Sequence, residues 1–264
     1  MITGIDHLVI VAHSLERAIE TYRRLGFTVM EGGLHPYGSY NALIGFADGS
    51  YIELLGFYEE APAHPWWDLL HERGGGLIDF CMATDDIHAD RQTLLGAGVS
   101  SSDLYEGGRD RPDGYVVKWI NNKVEGEFQG RIPFIIEDVT PRQERLPAER
   151  EHANGVTGID CLILAVDDPR YAAIMADVAG VTGRPIHRGE LGASGMRLEI
   201  GGHTLEYLLP DKEGGPLSEH LARNASVPFA VSFKTTGAAK TFAPVETGGL
   251  RMSFERDSQL GSPK

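Results

Sequence analysis

The sequence predicts an α+β protein assembled from four βαβββ modules arranged as two domains. Three observations carry this. "TGIDHLVIVA", from Thr3, returns as "TGIDCLILAV", from Thr157, with Leu8 and Leu162 in the same place after the shared opening. The order strand, helix, further strands recurs along the chain. The spacing is kept: seven positions separate His7 from Ser14, Asp79 from Asp86, and Cys161 from Asp168. Internal repetition constrains architecture more tightly than local propensity does.

Each element has a local reason. "IDHLVIVA" is a short β-branched run and reads as a strand buried on both faces. In "SLERAIETYRRLGF" the residues Leu15, Ala18, Ile19, Tyr22 and Leu25 fall on one helical face. Ser14 can cap that helix and Gly26 can end it. "FTVMEGG" is a second strand, and "NALIGF" and "YIELLGF" pair across "ADGS", a hairpin turn. The second module begins with "GLIDFCMATDDIHADRQTLLGAG", which is strand, cap, helix and glycine. "DGYVVKWINN" and "RIPFIIEDV" are its later strands, with "NNKVEGEFQG" as a hairpin loop between them. The third has strand "CLILAV", helix "PRYAAIMADVAG" and strands "MRLEIGG" and "HTLEYLLP". The fourth is degraded to helix "PLSEHLARN" and strands "PFAVSFK" and "LRMSFER". "PRQERLPAEREHANG" is polar and reads as a linker, giving domains at 1–142 and 155–256. The tail "DSQLGSPK" is expected to be disordered.

Composition narrows the function. The 264 residues carry a net charge of −14, which disfavours nucleic acid and anionic membrane as partners. Cys81 and Cys161 each sit in an apolar run and form no disulfide framework. No segment reads as a signal peptide or a membrane span, so a cytoplasmic protein is expected. Phosphate-cradling glycine loops, a nucleophile elbow and Cys-x-x-Cys pairs are absent from the sequence.

Paired βαβββ units with His7 in the opening strand and Glu53 in the closing "YIEL" resemble the vicinal oxygen chelate superfamily. That group includes glyoxalase I, extradiol dioxygenases and the bleomycin- and fosfomycin-resistance proteins. More narrowly, "GGLHPYGSYNALIGFADGSYIELLGF", "RPDG", "KW" and "IPFIIE" resemble the glyoxalase-like domain proteins. The resemblance covers residues 4 to about 140, and the internal repeat extends it. It implies curled mixed sheets and one divalent metal ion (Mn, Fe, Zn, Ni or Mg). Carried over position by position, the ligands are His7, Glu53, Asp79 and Glu137, although "IIED" can turn either Glu137 or Asp138 inward. A physical argument stands beside this. His7 and Glu53 each lie in an otherwise apolar run, and a buried carboxylate costs several kcal/mol unless a cation or donor offsets it. One imidazole with carboxylates suits a hard cation.

Other residues are read two ways. His35 and Asn41 sit in a glycine- and aromatic-rich loop, where they could orient a carbonyl or move a proton; the alternative is turn chemistry. Trp119, Arg109 and Arg111, around "GGRDRPDG", could cap the pocket and bind an anionic or carbonyl substrate, or form a solvated loop. Trp66 and Trp67 are expected to pack. Cys161 stands where His7 stands in the first copy, so the second domain is expected to hold no metal, with Glu206 bonded to a neighbour. The resemblance then implies a metal-dependent lyase or isomerase working through an enediolate-type intermediate, with Glu137 or His35 moving the proton. A metal-free binding protein of the bleomycin-resistance type is the alternative. An extradiol dioxygenase is a further one, disfavoured because Asp79 stands where a second His is needed. A small molecule is the expected partner, and the chain is a monomer or a homodimer.

Overall fold

The computed structural model describes residues 1–35, 38–110, 114–224 and 228–257. Strand β1 (Ile2–Val11) leads to α1 (Leu15–Arg24), then β2 (Met30–Leu34), β3 (Ser39–Gly45) and β4 (Tyr51–Phe57). A helix α2 (Trp67–Arg73) precedes the second module: β5 (Gly76–Thr84), α3 (Ile87–Gly96), β6 (Tyr105–Asp110), β7 (Val116–Asn121) and β8 (Phe134–Asp138). A single turn, α4 (Arg142–Arg145), follows. The third module is β9 (Val156–Ala165), α5 (Arg170–Ala179), β10 (Arg184–Arg188), β11 (Ala193–Ile200) and β12 (His203–Pro210). Then come α6 (Pro216–Asn224), β13 (Ala230–Thr235), β14 (Lys240–Phe242) and β15 (Met252–Arg256). Strand outweighs helix, 42% to 22%, as modules with four strands to one helix require.

The strands form two curled sheets. One has the order β2-β3-β4-β1-β5-β8-β7-β6, the other β10-β11-β12-β9-β13-β15-β14. In each complete module the first strand lies beside the last, so the opening and closing strands are neighbours. In the second module β5 and β8 run parallel, with Cys81 opposite Phe134. Parallel neighbours need a crossover, which α3 supplies.

Two compact units are resolved by packing. One comprises Met1–His7, Asp79–Leu146 and Ile163–Pro228; the other comprises Leu8–Ile78, Pro147–Leu162 and Phe229–Lys264. The second unit is built on an aromatic cluster in which Phe27 meets Phe233 at 6.0 Å and Phe254 at 5.7 Å between ring centroids. Each unit holds one copy of Thr-Gly-Ile-Asp by the same device. In the first, the Ile5 N–H donates to His203 Nδ1 at 3.1 Å. In the second, the Ile159 N–H donates to Asp48 Oδ2 at 3.1 Å. The preceding glycine makes room each time: a Cβ on Gly4 would fall 2.8 Å from His203 Nδ1, and one on Gly158 would fall 2.0 Å from Asp48 Oδ2.

Several elements differ from the sequence reading. "YEGGRD" is a strand, β6, paired with β7 from Tyr105↔Asn121 to Asp110↔Val116. β10 and β14 are likewise strands without an apolar alternation. The expected linker is folded in: α4 occupies its start, and further on His152 takes the Thr28 N–H at Nδ1 (3.0 Å) and donates from Nε2 to the Gly45 carbonyl (2.9 Å). Ser14 and Asp86 cap α1 and α3 as expected. Trp66 and Trp67 pack locally, Trp67 edge-on to Phe57 at 5.0 Å. The tail beyond Asp257 lies outside the described residues. No helix among the described residues is long and apolar enough to cross a membrane.

Candidate functional site

The middle of β1 carries Asp6 and His7, both buried. Asp6 is 0% exposed, and an ionised carboxylate there must be paired. α4 supplies the pairing. Arg142 and Arg145 lie three apart, on one face of a helical turn. Arg145 grips Asp6 with both Nη atoms, at 2.9 and 2.7 Å, and holds Asp138 through Nε at 2.6 Å. Arg142 Nη1 reaches Asp6 Oδ2 at 2.6 Å. Burial pushes the Asp6 carboxyl up, but the Arg145 charge and the bonds from His7 and Arg145 outweigh it and hold it far below the carboxylate range. Two carboxylates therefore face two guanidiniums.

His7 completes the arrangement. Its Nδ1 lies 2.7 Å from Asp6 Oδ1. Ionised Asp6 can only accept, so Nδ1 carries a proton and donates to it. The ring stands edge-on to Phe134 at 5.4 Å between centroids. A carboxylate that fixes a tautomer from behind is how ligating histidines are commonly oriented.

Asp6, His7 and Cys81 place their ligand atoms within 4.8 Å of one another, the group among the described residues closest to a metal-binding cluster. Both Asp6 oxygens serve guanidiniums. Burial, then the Asp6 charge, pushes the Cys81 thiol well above its ordinary value, with Arg145 opposing. His7 is the nitrogen donor of the three.

The remaining candidates are placed as follows. Glu137 and Asp138 are neighbours in a strand and point to opposite faces. Glu137 Oε2 accepts the Ile87 N–H at 2.7 Å and so caps α3, while Asp138 turns to Arg145. Asp79 is buried on the same strand face as Cys81 and accepts the Phe80 N–H at 2.9 Å. In the other unit, Glu53 is half-buried and its Oε1 accepts from Asn41 Nδ2 at 2.7 Å. Asn41 is in turn gripped by the Gly33 N–H at 3.0 Å, inside a β2 bulge between Glu31 and Leu34. A Cβ on Gly32 would fall 1.9 Å from Asn41 Oδ1, so the bulge requires glycine to seat the amide. His35 Nδ1 pairs with Ser39 Oγ at 2.9 Å, and Tyr58 donates to the His35 carbonyl at 3.0 Å.

Trp119, on β7, lies over Gly107 of β6, where a Cβ would meet its Nε1 at 2.1 Å. Exposed Arg109 reaches the Glu144 and Arg145 carbonyls of α4 through Nη2, each at 3.4 Å. Arg111 lies outside the described residues. In the second sheet Cys161 is buried, and fully buried Glu206 is closed by Arg188, at 3.0 and 2.8 Å, with Arg197 Nε at 3.5 Å. Sequence reasoning missed Asp6 and both α4 arginines. Asp6 had a signal, since it recurs in both repeats. Arg142 and Arg145, in a polar stretch about 140 positions away, had none.

A model of the glyoxalase-like domain family matches residues 5–178. A crystal structure of a hypothetical protein from Staphylococcus aureus superposes with a TM-score of 0.70 at 17% identity, covering 97% of this chain and 100% of that one. A mutant of 4-hydroxymandelate synthase from Streptomyces coelicolor superposes with a TM-score of 0.61 at 16% identity, covering 89% of this chain and 72% of that one. At such identities the likeness is one of fold. No curated protein matches the chain.

Proposed function

The chain belongs to the glyoxalase-like domain family, and on that premise we propose that it is a metal-dependent lyase or isomerase acting on a small carbonyl or hydroxy-carbonyl compound. The observation that carries this is the buried Asp6–His7 pair, which commits His7 Nδ1 to a carboxylate, so that Nε2 is the ring nitrogen a cation would take. Bound there, a divalent ion would polarise a carbonyl and stabilise an enediolate oxyanion. His7 is assigned as its nitrogen ligand, with Asp79, in the same unit, as a carboxylate that the family resemblance carries over. Glu137, also in that unit, is the group assigned to move the substrate proton; its Oε2 is positioned by the Ile87 N–H.

The test is metal analysis by plasma mass spectrometry on protein prepared without tag metal or chelator. About one divalent ion per chain is expected, lost in His7→Ala and reduced in Asp79→Asn. Glu137→Gln should keep the metal and lose proton exchange at the substrate. Wild-type protein that holds no metal and takes up none when offered excess would overturn the reading.

One observation favours a second reading. Arg142 and Arg145 neutralise Asp6 and Asp138 without any ion. A core already balanced in charge is compatible with a metal-free binding protein, which the same measurement would reveal.

A further inference from the structure

We propose a second ligand site, in the unit that holds Glu53, for a small organic carboxylate with a planar apolar body. A cavity of about 340 Å³ opens between the C-terminal end of α1 and the turn joining β13 to β14. That is the lower end of the size range of small-molecule sites. Its floor is apolar and stiff. Phe242 and Phe254 are buried and packed edge-to-face at 4.8 Å, and Phe254 continues into the aromatic core through Phe27. One wall is the Asn154 amide, fixed by donating to the Leu25 carbonyl at 3.0 Å and accepting the Val156 N–H at 3.0 Å. The turn side is lined by two alanines, so no long side chain fills the space.

The rim is basic. Arg24, at the end of α1, and Lys240, at the start of β14, both line the cavity and both are exposed. Lys240 Nζ sits 4.3 Å over the Phe242 ring, which holds the ammonium against the floor. Arg24 reaches only the Thr21 hydroxyl, at 3.4 Å. Among the described residues neither forms an ion pair with a carboxylate. The chain has 38 acidic and 24 basic side chains, so two unmatched cations beside one apolar hollow depart from the overall balance. A guanidinium fork matches a carboxylate, and an aromatic floor matches a flat ring. The site shares no residue with the His7 cluster and does not depend on a metal.

Phenylacetate is the probe and phenylacetamide its uncharged control, each titrated into ¹⁵N-labelled full-length protein and followed by backbone amide shifts. Phenylacetate should move the amides of Leu25, Asn154 and Lys240 with millimolar affinity, and the amide probe should bind about tenfold more weakly. The exposed double substitution Arg24→Gln with Lys240→Gln should weaken phenylacetate about tenfold and leave the fold intact. Ala239→Leu, which fills the hollow and keeps both charges, should abolish the shifts. Unchanged binding in either variant, equal binding of the uncharged probe, shifts located elsewhere, or no shifts at all would each overturn the proposal.

Discussion

Asp6 bears a full charge with none of its surface in water, and its two oxygens are shared among Arg145, Arg142 and His7. Removing that charge leaves Arg145, itself buried, without its main partner. Breaking a buried pair in this way costs about 3–5 kcal/mol. Asp6→Asn should lower the urea stability by that amount, whereas Asp138→Asn, which leaves the Asp6 bonds in place, should cost less. Equal losses would show that Arg145 rests on both carboxylates alike. Why this residue was not legible in the sequence is a matter of distance. In "TGID" it looks like a turn or strand-entry aspartate, and what makes it an ionised core group lies 139 positions away. His7 was legible because an imidazole in an apolar run is conspicuous by itself. The Glu137 and Asp138 alternatives stayed open because period-2 alternation fixes opposite faces without saying which face is which.

At the scale of elements, strands with apolar alternation were readable, and the edge strands β6, β10 and β14 were not. "YEGGRD" and "RPIHR" pair on one side only, so they need no hydrophobic face to be strands. The polar stretch after β8 hides its contacts for the same reason: its arginines pair with buried carboxylates, and further on it satisfies backbone groups. His152 shows how. Its Nδ1 accepts the Thr28 N–H while Nε2 donates to Gly45, so a second proton would have to displace the first bond. Burial lowers its pKa from 6.5, with the Gly45 carbonyl opposing. A depressed folded pKa means that the unfolded chain takes the proton first. The stability His152 adds is therefore complete above about pH 6.5 and lost as pH falls below it. Urea midpoints should drop between pH 7.5 and 5.5, and His152→Gln should flatten that slope. The β2 bulge gives another check. Gly32→Ala drives a methyl group into Asn41 and should cost about 1–3 kcal/mol, read by thermal unfolding.

Across the whole molecule, equivalent positions are used differently in the two sheets. Glu206 falls where Glu53 falls in the repeat, yet Arg188 and Arg197 close over it. Glu206→Gln should destabilise by about 1–3 kcal/mol and leave metal content unchanged, in contrast with Asp79→Asn. The recurrence of Thr-Gly-Ile-Asp has a second explanation beside any metal. Each copy is bonded by a hairpin residue from the opposite half of the sequence, His203 to the first copy and Asp48 to the second, and its glycine admits that residue. Each compact unit accordingly draws on both halves. Cut at the junction after Leu146, the polypeptide would yield two pieces that each carry a clasp belonging to the other. Produced apart, they should be poorly folded; mixed, they should reassociate as complementary fragments and elute together on a sizing column. A protein so interlaced can be split without being divided.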